Sequence, residues 1–136
     1  MPLMTWTEEM SVSVKILDDD HKTMIDMLNE LNDGIEANHQ RASLESVIGK
    51  LSTYTKFHFA REERLFAQTG YPGEAAHKAE HVQLARRVMN LQARFESGQS
   101  RELGLETMAF LKKWLTDHIM GSDQKYGSHL NAKGLH

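Results

Sequence analysis

The stretch from His58 to His81, HFAREERLFAQTGYPGEAAHKAEH, carries two ligand-type pairs at helical spacing on either side of a turn. His58 and Glu62 are four residues apart, and so are His77 and His81. On an α-helix, residues i and i+4 share a face about 6 Å apart along the axis, so each pair can aim two donor atoms at one point. The Gly70-Tyr71-Pro72-Gly73 segment between them reads as a turn. The two pairs can therefore sit on antiparallel neighbouring helices and face one another. Either pair alone is weak, because the chain has eight histidines and spaced pairs arise by chance. Their meaning depends on what else reaches the same place.

The flanks of this stretch give two helices. From about Ala42 to Ala67, Leu44, Val47, Ile48, Leu51, Thr55, His58, Glu62 and Phe66 step by three or four, the period of one helical face. His58 and Glu62 lie inside the apolar stripe. From about Gly73 to Glu96 the pattern repeats with His77, His81, Leu84, Val88, Leu91 and Phe95, and Ser97-Gly98-Gln99-Ser100 closes it. Upstream, Asp18-Asp19-Asp20 offers N-cap candidates for a helix with the stripe Met24, Ile25, Leu28, Leu31 and Ile35. His21 falls on that stripe, and Gly34 and Asn38 mark the end. Downstream, a helix from about Arg101 carries Met108, Leu111, Leu115, His118 and Ile119 and becomes irregular near Gly121. Residues 1–17 alternate through Met10, Val12, Val14 and Ile16, which predicts an extended arm anchored by Trp6. The tail, residues 130–136, is expected to fray.

Four amphipathic segments joined by short connections describe an all-α, antiparallel up-down-up-down four-helix bundle with an extended N-terminal arm. At 136 residues a single domain, 1–136, is expected. In such a bundle the starts of helices one and three meet the ends of helices two and four. His21, His58, His77, His81 and His118 therefore fall in one layer.

Composition narrows the chemistry. With 40% hydrophobic and 26% charged residues the chain is expected to fold. A net charge of −3 favours neither nucleic acid nor an anionic lipid surface as partner. There is no cysteine, which excludes thiolate zinc sites, iron–sulfur clusters and thiol catalysis, so any metal is held by nitrogen and oxygen. The N-terminus lacks a leader pattern and no apolar run approaches a membrane span. A cytoplasmic protein is the default expectation.

A single histidine on an apolar face is usually a satisfied core residue. Five at one level are another matter, because each unpaired buried polar group costs roughly 1 to 3 kcal/mol. A bound metal supplies the missing partner. Asp123, five residues after His118, is the second carboxylate placed here. Five residues turn an ideal helix about 140° past the starting face. A local widening or bend at Gly121-Ser122, a π-bulge, is therefore predicted.

His21, His58-x3-Glu62, His77-x3-His81 and His118-x4-Asp123 together resemble the haemerythrin family in its single-domain bacterial form, the bacteriohaemerythrins. The likeness runs through Trp6, Asp20-His21-Lys22, His58-Phe59, Glu62-Glu63, Gly70-Tyr71-Pro72, Trp114-Leu115 and Tyr126. Two departures are small: Asp20 stands where Gln or Glu is frequent, and Phe66 where Met is frequent. The resemblance implies a non-haem di-iron centre (Fe2+/Fe3+) with an oxo or hydroxo bridge. His77, His81 and His118 would bind one iron, His21 and His58 the other, and Glu62 and Asp123 would bridge both. Five imidazole nitrogens, four carboxylate oxygens and a bridge counted twice fill eleven of the twelve positions of two octahedral ions. The open one, on the two-histidine iron, is where the family binds O2. Leu115 matches a family leucine close to bound O2; as a residue it also reads simply as bundle core.

A reversible O2 carrier, store or delivery protein is thus expected, a binding protein and not an enzyme, with an oxygen-consuming enzyme as a conceivable recipient. An O2 or redox sensor acting through a partner, or an iron-handling or peroxide-consuming di-iron enzyme, stays open beside it. A ferritin-like oxidase wants Glu-x-x-His motifs; Glu36-x-x-His39 and Glu74-x-x-His77 occur, but at opposite kinds of helix end. The His-Glu-x-x-His pattern of zincin proteases is missing, since Glu80 directly precedes His81. His39, His129 and His136 are read as solvated.

Overall fold

The structure is a computed structural model that describes residues 3–98 and 101–136. The first two residues of the expected arm, and Gln99 and Ser100 of the loop after the third helix, lie outside the described residues. The main helices are α1 (Lys15–Glu36), α2 (Gln40–Thr69), α3 (Glu74–Glu96) and α4 (Arg101–Trp114). Past Trp114 the fourth rod continues as a π-helical segment, Leu115–Asp123, and then as α5 (Gln124–Ala132). Among the described residues there is no β-strand. Each helix packs on its sequence neighbour and α1 closes the ring against α4, which is the four-helix bundle expected. No helix among the described residues is long and apolar enough to cross a membrane.

The stripes form the core. Met24, Ile25, Leu28 and Leu31 of α1, Leu44, Val47, Ile48 and Leu51 of α2, and Leu84, Val88 and Leu91 of α3 are buried, as are Leu111, Leu115 and Ile119 on the fourth rod. Burying such side chains contributes about 1.5 to 3 kcal/mol each, and they make one main cluster. A second cluster joins Val12, Val14 and Leu17 to Phe66, Tyr126 and Leu130. α2 stops where Gly70 adopts a left-handed conformation (φ 67°), and Tyr71 N–H then donates to the Phe66 carbonyl at 3.1 Å. That is a Schellman-type ending, and it sends the chain back as α3.

The arm and the tail both depart from expectation. The arm does not run extended to residue 17: a 3-10 turn occupies Glu8–Met10, and α1 begins at Lys15. Met10, Val12 and Val14 are buried as the alternation predicts, but Ile16 is 49% exposed and Leu17 takes its place inside. The period changes from two to helical at Val14. Asp18 is no N-cap; it lies inside α1 and turns back to accept Val12 N–H at 2.8 Å and Ser11 Oγ–H at 2.6 Å. The tail is held instead of frayed. α5 extends to Ala132 with Leu130 fully buried, Leu135 packs on the second cluster, and Lys15 N–H donates to the His136 carbonyl at 3.1 Å.

Candidate metal centre

The layer of histidines expected from helix heights is present and buried. His21, His58, Glu62, His77, His81, His118 and Asp123 are all at most 4% exposed. The regular i, i+4 spacing on α2 and α3 aims His58 with Glu62, and His77 with His81, into the bundle. Asp123 reaches the same place because the last rod widens. The π segment opens at Leu115 and closes at Asp123, so the widening predicted at Gly121-Ser122 is real and begins six residues earlier. Hydrogen bonds spanning one residue more per turn absorb the 140° excess.

Seven side chains resolve into two groups of four that share Glu62. Glu62, His77, His81 and His118 offer donor atoms within 4.8 Å of one another, and so do His21, His58, Glu62 and Asp123. Glu62 Oε1 lies 3.5, 3.4 and 3.0 Å from Nε2 of His58, His77 and His81. Asp123 Oδ1 lies 3.0 and 2.9 Å from Nε2 of His77 and His118, and its Oδ2 lies 2.9 Å from Nε2 of His21. Each carboxylate thus touches both groups. Phe59 stacks on His81 (3.8 Å between centroids, 10°) and Trp114 on His118 (4.4 Å, 16°), while Phe66 meets His77 edge-on at 5.0 Å. Aromatic rings therefore wall the polar layer from both clusters. Leu115, one turn before His118, is 1% exposed and belongs to the main cluster.

Three imidazoles are backed at Nδ1 by acids whose roles spacing did not disclose. Asp20 accepts from His58 at 2.8 Å and Glu63 from His81 at 3.3 Å, and a Glu80 carboxylate oxygen lies 3.2 Å from Nδ1 of His118. Such bonds fix the tautomer and leave Nε2 with a lone pair directed inward. Asp20 is itself held by Arg61 at 3.0 Å and the Tyr54 hydroxyl at 2.8 Å, and Glu80 by the Ser122 hydroxyl at 2.7 Å. From the second cluster the Tyr126 hydroxyl donates to Glu62 Oε2. Glu63 and Glu80 stand beside or near site residues in sequence, yet their partners are on other helices. Tyr126 at Asp123+3 was the one neighbour that helical spacing could have shown. His129, read as solvated, is half-buried and bonded through Nε2 to the Thr69 carbonyl at 2.9 Å. Glu36 and His39 are exposed at the α1–α2 turn, away from any such cluster.

Electrostatics follow from packing. Burial opposes charge on Glu62 and on Asp123, but the surrounding imidazoles outweigh it and hold both carboxyls below the usual carboxylate range, Asp123 well below. Burial likewise opposes charge on His77, yet the carboxylates of Asp123 and Glu62 raise it to about 9; Asp123 raises His21 in the same way. Burial, with the charges of Asp123 and Glu62, pushes the Tyr126 phenol well above its ordinary value.

The residues fit a metal. Nε2 of His21, His58 and His118 and both oxygens of Asp123 are buried without a partner in hydrogen-bond geometry, although nitrogen and oxygen approach to 2.9 Å. Lone pairs converging on shared space without a proton directed between them need a cation. Imidazole and carboxylate in this proportion suit a first-row transition metal better than calcium or magnesium.

Comparison with known proteins agrees with this geometry. Residues 12–130 match the family described as "Hemerythrin HHE cation binding domain". The chain is 39% identical over 133 residues to a bacteriohemerythrin of Methylococcus capsulatus, covering 97% of this chain and all of that protein. A bacteriohemerythrin of Stenotrophomonas maltophilia is 37% identical over 132 residues, 97% of this chain and 84% of its own length. A crystal structure of wild-type hemerythrin superposes with a TM-score of 0.84 at 38% identity, covering 94% of this chain and 98% of that one.

Proposed function

The chain belongs to the haemerythrin family, and from that premise we propose that it is a non-haem di-iron protein that binds O2 reversibly for carriage, storage or delivery. His77, His81 and His118 would hold one iron and His21 and His58 the other, with Glu62 and Asp123 within reach of both. The observation that carries this reading is Asp123, whose two oxygens point at histidines of different groups. When bound, the iron pair supplies electrons as O2 is taken up and regains them on release.

The chain's own residues do the rest. The acids behind His58, His81 and His118 draw the ring proton to Nδ1 and leave Nε2 of each imidazole to face inward, where its lone pair can be given to a cation. With one histidine fewer, the His21–His58 group would leave an ion held there the more open to O2. Leu115, with Phe59 and the ring of Trp114, keeps the layer apolar at its rim and excludes water that would compete for that position. Neither a free acid nor a free base is needed for binding.

The test is spectroscopic. Protein loaded anaerobically with ferrous iron should hold two irons per chain and show a visible charge-transfer band in air that disappears under nitrogen over repeated cycles. Rapid, irreversible oxidation on first exposure would sink the carrier reading and favour sensing or catalysis. Replacing His77 with Ala should lower iron content; unchanged loading would falsify the assigned ligand set.

A further inference from the structure

Glu62 uses its two oxygens differently. Oε1 faces the histidines, at 3.0 to 3.5 Å from three of them, while Oε2 accepts the hydroxyl proton of Tyr126. Asp123 is treated otherwise: both of its oxygens face histidines, and neither has a hydrogen-bonded partner behind it. One shared carboxylate is held from outside the layer, and the other is not.

The holder is itself firmly placed. Tyr126 is fully buried, with its ring 5.2 Å from Phe66 and 5.5 Å from His77. The next residue is Gly127, where a Cβ would lie 2.4 Å from the Val12 carbonyl oxygen. The arm thus lies directly on the α5 backbone. Gln124 fastens it there by donating to the Met10 and Ser11 carbonyls at 3.2 and 3.0 Å. Phenylalanine would fill the same bed, and a buried hydroxyl is costly unless bonded. Packing alone therefore gives no reason for the oxygen, whereas Glu62 does.

We infer that Tyr126 is a positioning residue for Glu62: its hydroxyl fixes the rotation of the carboxylate and draws charge from Oε2, so that Glu62 and Asp123 enter the metal centre as unequal donors. The inference rests on the metal-centre reading given above. It also gives the arm and α5 a role at the centre, since together they set where the Tyr126 oxygen lies.

Tyr126→Phe keeps the ring and removes the donor. In metal-free protein, an infrared difference spectrum between wild type and Tyr126→Phe should show a shifted carboxylate stretch, and Glu62→Gln should abolish that same band. With cobalt(II) as probe, the wild type should take up two ions per chain. Tyr126→Phe should weaken at least one of the two steps about tenfold and shift the visible cobalt bands, while Tyr71→Phe, at the edge of the same bed, changes neither. A wild-type isotherm and wild-type bands in Tyr126→Phe, at unchanged helicity, would overturn the inference. If the wild type itself takes up fewer than two cobalt ions, the metal-centre reading fails, and the infrared band alone decides the Tyr126–Glu62 bond.

Discussion

The two histidine groups of the centre are made of the same side chains and supported in opposite ways. His81 and His118 lean on Glu63 and Glu80, whose side chains are 32% and 44% exposed. His58 leans on Asp20, which is 7% exposed and is tied to Arg61 and Tyr54. A charge near water is screened, and one in the interior is not. The group with three histidines thus has more donors but backing acids that solvent screens, and the group with two has one buried acid tied on two sides. His21 has no such support, since its Nδ1 is buried without a partner. The lesson is that ligand counting understates how different the two positions are.

The comparison can be broken outright at Asp123, one of the two carboxylates that touch both groups. Asp123→Ala removes contacts to His21, His77 and His118 at once, and iron content should fall from two per chain to one or fewer, measured by elemental analysis. Retention of two irons would mean that the groups do not depend on Asp123. The next largest effect is at Asp20. Asp20→Asn should weaken metal binding in the His21–His58 group by about 10- to 100-fold, read by competition with a chelator. An effect no greater than that of Glu80→Gln would erase the proposed difference between buried and exposed support.

A third measurement uses pH on metal-free protein. The folded-state pKa of His77 is raised from 6.5 to about 9. Its stabilising contribution is complete below 6.5 and is lost as pH climbs toward 9. Glu62 and Asp123 are depressed from 4.5 and 3.8, so theirs is present above those values and lost in acid. The melting temperature of the metal-free chain should therefore peak between about pH 5 and 6.5 and decline by several degrees toward pH 9. Iron-loaded protein, in which the metal replaces the proton, should lack the alkaline decline; identical profiles would contradict the shared site. The smallest effect belongs to Glu80→Gln, where a few-fold loss of affinity is expected because solvent already screens the acid it replaces.

Much of this was written in the helical periods. The four stripes, the turn at Gly70 and the five histidines in one layer follow from spacing, because regular helices carry residue number directly into direction. Asp123 was legible for the opposite reason: its spacing fitted no regular helix, and the predicted remedy is found. The supporting acids were not legible. Asp20 precedes His21 yet serves His58, and Glu80 precedes His81 yet serves His118. Contacts of that kind depend on how helices are rotated against one another, which one stripe does not report. The arm was set too long because Val12, Val14 and Ile16 keep alternating in sequence after the backbone has turned helical. Only the burial of Leu17 distinguishes the two.

The π-helical stretch has a consequence for how this rod tolerates change in length. Winding with an extra residue per turn is equivalent to carrying insertions in an otherwise α-helical register, so the phase of everything after it is borrowed from the count of residues before it. Adding one more residue between Ile119 and Ser122 would turn the rod by roughly a further 100° and rotate Asp123, Tyr126 and Leu130 off the interior together, whereas deleting one would leave His118 and Asp123 at the four-residue spacing of an ordinary α-helix. A single-residue insertion far from any loop would then displace a candidate ligand, the tyrosine beside it and the packing of the tail in one event.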